Sequence, residues 1–179
     1  MKKCLILYAS NTGNTEKVAF ELKKGFERHG WKADLKKITK EYDADRLDFN
    51  FNDYDFLCVG SWVNFSLPVQ WLVDVLRAPD VPSRKVIPGP KCGAAFCTFG
   101  GGHLGPREAD ACLALLQVLF EHLGFASVGS IAIPGRFGND PTPEWFYPDL
   151  PERPNADDLK RVSDFVDRIF DHPLVAHYT

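Results

Sequence analysis

Short apolar runs alternate with amphipathic stretches along the chain. Residues 4–9 are an unbroken apolar run, the form of a strand covered on both faces. Residues 14–29 repeat apolar side chains at helical spacing through Val18, Leu22 and Phe26, with Glu16 in the first turn and Gly30 as a left-handed stop. Residues 31–38 alternate apolar and polar, which predicts an edge strand, and 56–60 predict a further buried strand. Residues 67–77 read as a helix with Ser66 as its N-cap and Pro68 in the first turn. A fourth strand is expected over 92–99. The helix over 106–123 lines one side with Ala109, Leu113, Leu116 and Phe120 and ends at Gly124. A fifth strand covers 127–133, and Asn155 caps a last helix through Phe170 that buries Leu159, Val162, Val166 and Ile169, with His172 and Pro173 stopping it. Strands alternating with helices in this way predict a parallel sheet with helices on both faces.

Residues 135–154 break the rhythm. They hold five prolines together with Trp145, Phe146 and Tyr147, too aromatic for a disordered linker. An ordered arm is expected there, packed on the domain or on a neighbour. With 179 residues, 45% of them apolar and 25% charged, the rest suits one globular domain over 1–179.

The net charge of −3 gives no field for nucleic acid, and no basic stripe is present. Residues 17–40 lean basic, whereas 41–55 carry six acids against Arg46 alone, either a solvated face or a rim that docks a basic partner. The apolar run after Met1 is too short for a secretory leader, and no stretch approaches about 20 apolar residues. A cytoplasmic protein that does not enter the membrane is expected. The five cysteines, an odd count with no Cys-x-x-Cys pair, read as small buried hydrophobes in a reducing compartment. Cys92 and Cys97 point to opposite faces of their strand, which argues against a metal.

The chemistry concentrates where strands turn into helices. After the first strand comes Ser10-Asn11-Thr12-Gly13-Asn14-Thr15, placed so that backbone N–H groups converge at the positive end of a helix dipole. Gly13 allows close approach of a phosphate, and the hydroxyls of Ser10, Thr12 and Thr15 are further donors. No Lys or Arg lies within the loop, so neutral donors are expected to hold the phosphate. After the third strand, Ser61-Trp62-Val63-Asn64-Phe65 offers two aromatic rings to a planar ligand. After the fourth, Thr98-Phe99-Gly100-Gly101-Gly102-His103 offers free backbone groups and one histidine.

The stretch from Tyr8 to Thr15 followed by a helix resembles the FMN-phosphate loop of the flavodoxin family, and the resemblance runs from Met1 to about Gly135. The loop at Gly100 to His103 also resembles that of the tryptophan-repressor-binding-protein quinone reductases. The resemblance implies a flavodoxin-like three-layer sandwich, a five-stranded parallel sheet in order 2-1-3-4-5, and FMN as the cofactor. It further implies that the three loops hold the flavin, Trp62 or Phe65 stacks on its ring, and a carbonyl of the second loop faces its N5. The function expected is electron transfer with a redox partner protein or small acceptor, in a chain that can form a homo-oligomer. An NAD(P)H-dependent quinone or flavin reductase on the same fold is the alternative. A binding module that has lost its cofactor is a third reading, disfavoured by the intact phosphate loop.

Overall fold

Alternate residues of the inner strands feed two separate apolar layers, and this division organises the molecule. The structure, a computed structural model, describes residues 1–78, 91–101, 104–136 and 149–176. Strands β1 (Lys3–Tyr8), β2 (Lys32–Lys37), β3 (Phe56–Trp62), β4 (Lys91–Phe99) and β5 (Phe125–Pro134) pair in parallel in the order β2-β1-β3-β4-β5. Leu5, Leu7, Leu57, Val59, Ala95 and Cys97 face one side, where helices α2 (Gln70–Leu76) and α3 (Asp110–His122) cover them. Cys4, Ile6, Phe56, Cys58, Cys92 and Phe96 face the other, under α1 (Asn14–Arg28), α4 (Ala156–Asp171) and the short α5 (Pro173–Ala176). Cys92 and Cys97 therefore lie in opposite layers, and all five cysteines are buried thiols.

Helices α1 and α4 follow the sequence pattern closely. Val18, Leu22 and Phe26 are buried on α1, and Gly30 closes that helix at φ +79°. Asn155 caps α4 through a reciprocal box in which its side chain accepts from Asp158 N–H at 3.1 Å and Asp158 accepts from Asn155 N–H at 3.1 Å. Asp158 is fully buried, and the Arg153 guanidinium meets it at 2.7 Å. Val162, Val166 and Ile169 are buried as expected, joined by Phe165 and Phe170, while Leu159 is only half-buried.

Two helix starts differ from the sequence reading. Ser66 does not cap α2; it sits at φ +64° inside a tight turn, and the helix begins at Gln70 after Val69. The reason is local closure: Asn64 and Leu67 exchange N–H···O bonds of 2.8 and 3.0 Å, which fixes Phe65 and Ser66 as the turn between them. The serine that serves this helix start is Ser61, whose Oγ accepts from Val69 N–H at 3.1 Å. Likewise α3 begins at Asp110, because Gly105–Ala109, with Pro106 among them, form a tighter 3-10 turn first. Of the arm expected over 135–154, residues 137–148, including Trp145, Phe146 and Tyr147, lie outside the described residues.

Candidate functional site

The carboxyl ends of β1, β3, β4 and β5 share one edge, so four loops meet there. In the first, Gly13 takes φ +88° as the N-cap of α1 and brings no side chain of its own to that end. The first N–H groups of an α-helix have no partner within it. Ser10 Oγ accepts from Glu16 N–H at 3.3 Å and so takes one of them. Asn11 and Thr12 are exposed, whereas Asn14 and Thr15 are buried. Thr15 is turned inward, its hydroxyl 2.8 Å from that of Thr98.

Beneath this loop, Glu16 gathers two donors on one oxygen. Tyr8 OH donates to its Oε1 at 2.9 Å and Lys37 Nζ at 3.1 Å. Burial and the neighbouring carboxylate push the Tyr8 phenol far above its ordinary value. Burial opposes ionisation of Glu16, yet the hydrogen bonds from Tyr8 and Lys37 prevail and hold its carboxyl below the ordinary range.

In the second loop, Ser61 is fully buried and serves the fold, donating to the Trp62 carbonyl at 2.8 Å while accepting from Val69. Trp62 and Val63 are half-buried, and the Trp62 ring lies 5.5 Å from that of Trp71. Asn64, Phe65 and Ser66 are exposed; Phe65, at φ +48°, is 96% exposed and leaves the cleft to Trp62. Left-handed backbone at a non-glycine residue costs on the order of 1–2 kcal/mol.

In the third loop, Thr98 and Phe99 are buried and Gly100 is half-buried. Glu108 holds this loop at two points, accepting from Gly101 N–H at 3.2 Å and Leu104 N–H at 3.1 Å. Gly102 and His103 lie outside the described residues.

These loops enclose two neighbouring clefts. The first, of about 290 Å³ including open solvent, is lined by Asn11, Thr12, Asn14, Trp62, Val63, Thr98, Phe99 and Gly100, all singled out from the sequence, and by Gly135 and Arg136, which were not. The second, about 830 Å³ on the same measure, lies between Ser10, Asn11, the segment 37–41, Trp62 and Trp71. Asn11 and Trp62 belong to both. Gly13, Thr15, Ser61, Asn64, Phe65 and Gly101 line neither. Gly135 and Arg136 were foreshadowed by their place directly after the fifth strand; nothing in the sequence tied Lys40 or Trp71 to the site.

A parallel sheet in this order, with a glycine-bearing strand-to-helix loop and an aromatic-walled cleft at its carboxyl edge, defines the doubly wound class that binds a mononucleotide there. The chain belongs to the flavodoxin family, the FMN-binding redox proteins of this class: the family's sequence model matches residues 6–133. Among solved structures, flavodoxin 2 from Bacillus cereus is similar at 19% identity, with 94% of this chain and 98% of that one covered and a TM-score of 0.66. A flavodoxin described as WrbA-like, from Agrobacterium tumefaciens, is similar at 16% identity, with 96% of each chain covered and a TM-score of 0.66. Rubredoxin oxygen:oxidoreductase from Desulfovibrio gigas is similar at 17% identity over 98% of this chain but only 37% of that one, with a TM-score of 0.60. No curated protein matches the sequence with significance.

The donor set of the first cleft fits FMN. The helix N-terminus behind Gly13, the Thr12 hydroxyl and the Asn11 and Asn14 amides suit a phosphate monoester, and the Trp62 indole suits a planar ring. Among the described residues, no helix is long and apolar enough to cross a membrane.

Proposed function

We propose that this chain is an FMN-dependent electron carrier whose flavin lies in the first cleft. The phosphate is held by residues 10–15 at the N-terminus of α1, with Asn11, Thr12 and Asn14 giving side-chain contacts. Trp62 and Val63 cover one side of the ring, and Thr98, Phe99 and Gly100 bound the other. The observation that carries the reading is this single cleft, in which the helix N-terminus and Trp62 share one space. When bound, FMN supplies reversible one- and two-electron chemistry. The protein orients the ring, excludes water from it with Trp62, and leaves its edge open for a partner protein. Phe65, 96% exposed on the neighbouring turn, gives that edge an apolar contact. The five buried thiols are consistent with a reducing cytoplasm.

A second reading is favoured by one observation: the cleft of about 830 Å³ behind Trp62, which has Lys37 and Lys40 in its wall. An open cleft with Lys40 in its wall is a place for the phosphates of a nicotinamide donor, as an NAD(P)H-dependent quinone or flavin reductase needs. Purified protein should be yellow and release FMN, not FAD, on denaturation; a colourless preparation that ignores added FMN removes both readings. Stopped-flow mixing of the holoprotein with NADPH and NADH separates them. Slow reduction that needs an added reductase supports the carrier, and fast direct reduction supports the enzyme.

A further inference from the structure

The phosphate loop carries no cation of its own between Ser10 and Thr15, yet the fold delivers one from 122 residues further along the chain. Arg136 follows β5 and lines the same cleft as Thr12 and Asn14. Its main chain is fastened there. Asn14 Nδ2 donates to the Arg136 carbonyl at 2.6 Å, and Gly135 N–H donates to the Phe99 carbonyl at 2.9 Å. Gly135 also sits so close to the loop that an added Cβ would lie 3.1 Å from both Cβ and Nδ2 of Asn14. The glycine thus lets the end of β5 close against the start of α1, and the arginine side chain starts from that fixed point.

A phosphate monoester carries about −1.5 to −2 charges near neutral pH, whereas a helix N-terminus offers roughly half a positive charge. Neutral amides and hydroxyls supply hydrogen bonds but leave most of that charge uncompensated. A guanidinium turned from Arg136 into the cleft would match two phosphate oxygens at once, with hydrogen bonds about twice as strong as neutral ones. We propose that Arg136 is the phosphate-binding cation of this site, making the cleft selective for phosphorylated flavin over riboflavin. The inference rests on the FMN reading above, and it replaces the expectation that neutral donors alone hold the phosphate.

The test titrates flavin-free protein with FMN and, separately, with riboflavin, following flavin fluorescence at low and high salt. In Arg136→Gln, FMN affinity should fall roughly ten- to a hundredfold, the scale of a hydrogen bond to a charged group, while riboflavin affinity stays as in the wild type. Arg136→Glu should lose more FMN affinity and again spare riboflavin, and Arg136→Lys should recover part of the loss. The salt dependence of FMN binding should flatten in Arg136→Gln. Unchanged FMN affinity in Arg136→Gln, or an equal loss for both flavins, overturns the inference and leaves the FMN reading standing. Should Arg136→Gln not fold, Arg136→Lys decides: lower FMN affinity with riboflavin affinity unchanged supports the phosphate contact, and parallel losses for both flavins overturn it. Wild-type protein that binds neither flavin removes the FMN reading itself.

Discussion

The hydroxyls of Thr15 and Thr98 lie 2.8 Å apart, joining the first turn of α1 to the end of β4 across 83 residues of sequence. Both residues are almost fully buried, at 1% and 4% exposure, so neither hydroxyl has water to fall back on. The pair fixes the phosphate loop relative to the loop after β4, and with it the width of the first cleft.

Replacing one hydroxyl should therefore cost more than replacing both. Thr15→Val or Thr98→Val alone strands a buried hydroxyl and should destabilise by about 1–3 kcal/mol. The double variant, with two apolar groups of the same shape in contact, should recover much of that loss. Urea denaturation of the four proteins checks it, and strictly additive losses would show that the two hydroxyls are not coupled.

Gly60 lies where β3 crosses the Phe96 ring, and an added Cβ would fall 2.1 Å from that ring. Gly60→Ala should destabilise by about 3 kcal/mol, at the upper end for overpacking. Because the clash is with one side chain, Phe96→Leu in the same protein should return part of the stability. Melting curves of the single and double variants would decide, and a neutral Gly60→Ala would contradict this packing.

Trp62 is the aromatic wall common to both clefts. Trp62→Ala should weaken FMN binding by about 0.5–1.5 kcal/mol, raise the fluorescence of the bound flavin, and shift its potentials. Phe65→Ala should leave flavin fluorescence unchanged, since Phe65 lines neither cleft. If the two variants behave alike, the division of roles between these aromatics is wrong.

The Glu16 cluster predicts one part of the acid limb of stability. Its carboxyl is depressed in the folded protein below the ordinary 4.5, so its contribution is complete above that value. The contribution is lost as pH falls through the lower folded value, when protonation ends the ion pair with Lys37. Glu16→Gln should therefore be less stable than wild type at neutral pH, with the difference shrinking as the solution becomes acid. The Asp55 and Asp167 carboxyls are also held low and will still give the variant an acid limb of its own. Urea midpoints across pH test this, and a difference that stays constant into acid would exclude Glu16 as its source.

The elements that were legible in advance share one property: their signal is contiguous. The apolar runs of β1, β3 and β4, the spacing of Val18, Leu22 and Phe26, and the capping box at Asn155 each depend on neighbours within a turn or two. Where two local preferences competed, the pattern could not rank them. Ser66 is a good cap by type, but closure of the turn between Asn64 and Leu67 held it at left-handed φ, and Ser61 served the helix instead.

The sequence by itself determined the layered parallel sheet and the loop from Ser10 to Thr15, because strand alternation, helical period and a glycine-bearing turn are written in adjacent residues. Only the tertiary structure decided what surrounds that loop. Arg136 reaches it because β5 ends at the same sheet edge, Trp71 meets Trp62 because α2 packs beside β3, and Thr15 turns inward because Thr98 lies across from it. Periodicity reports which face of an element is apolar. Which elements become neighbours, and which polar groups then find partners, follows from packing the whole sheet, and the composition of a cleft is fixed at that stage.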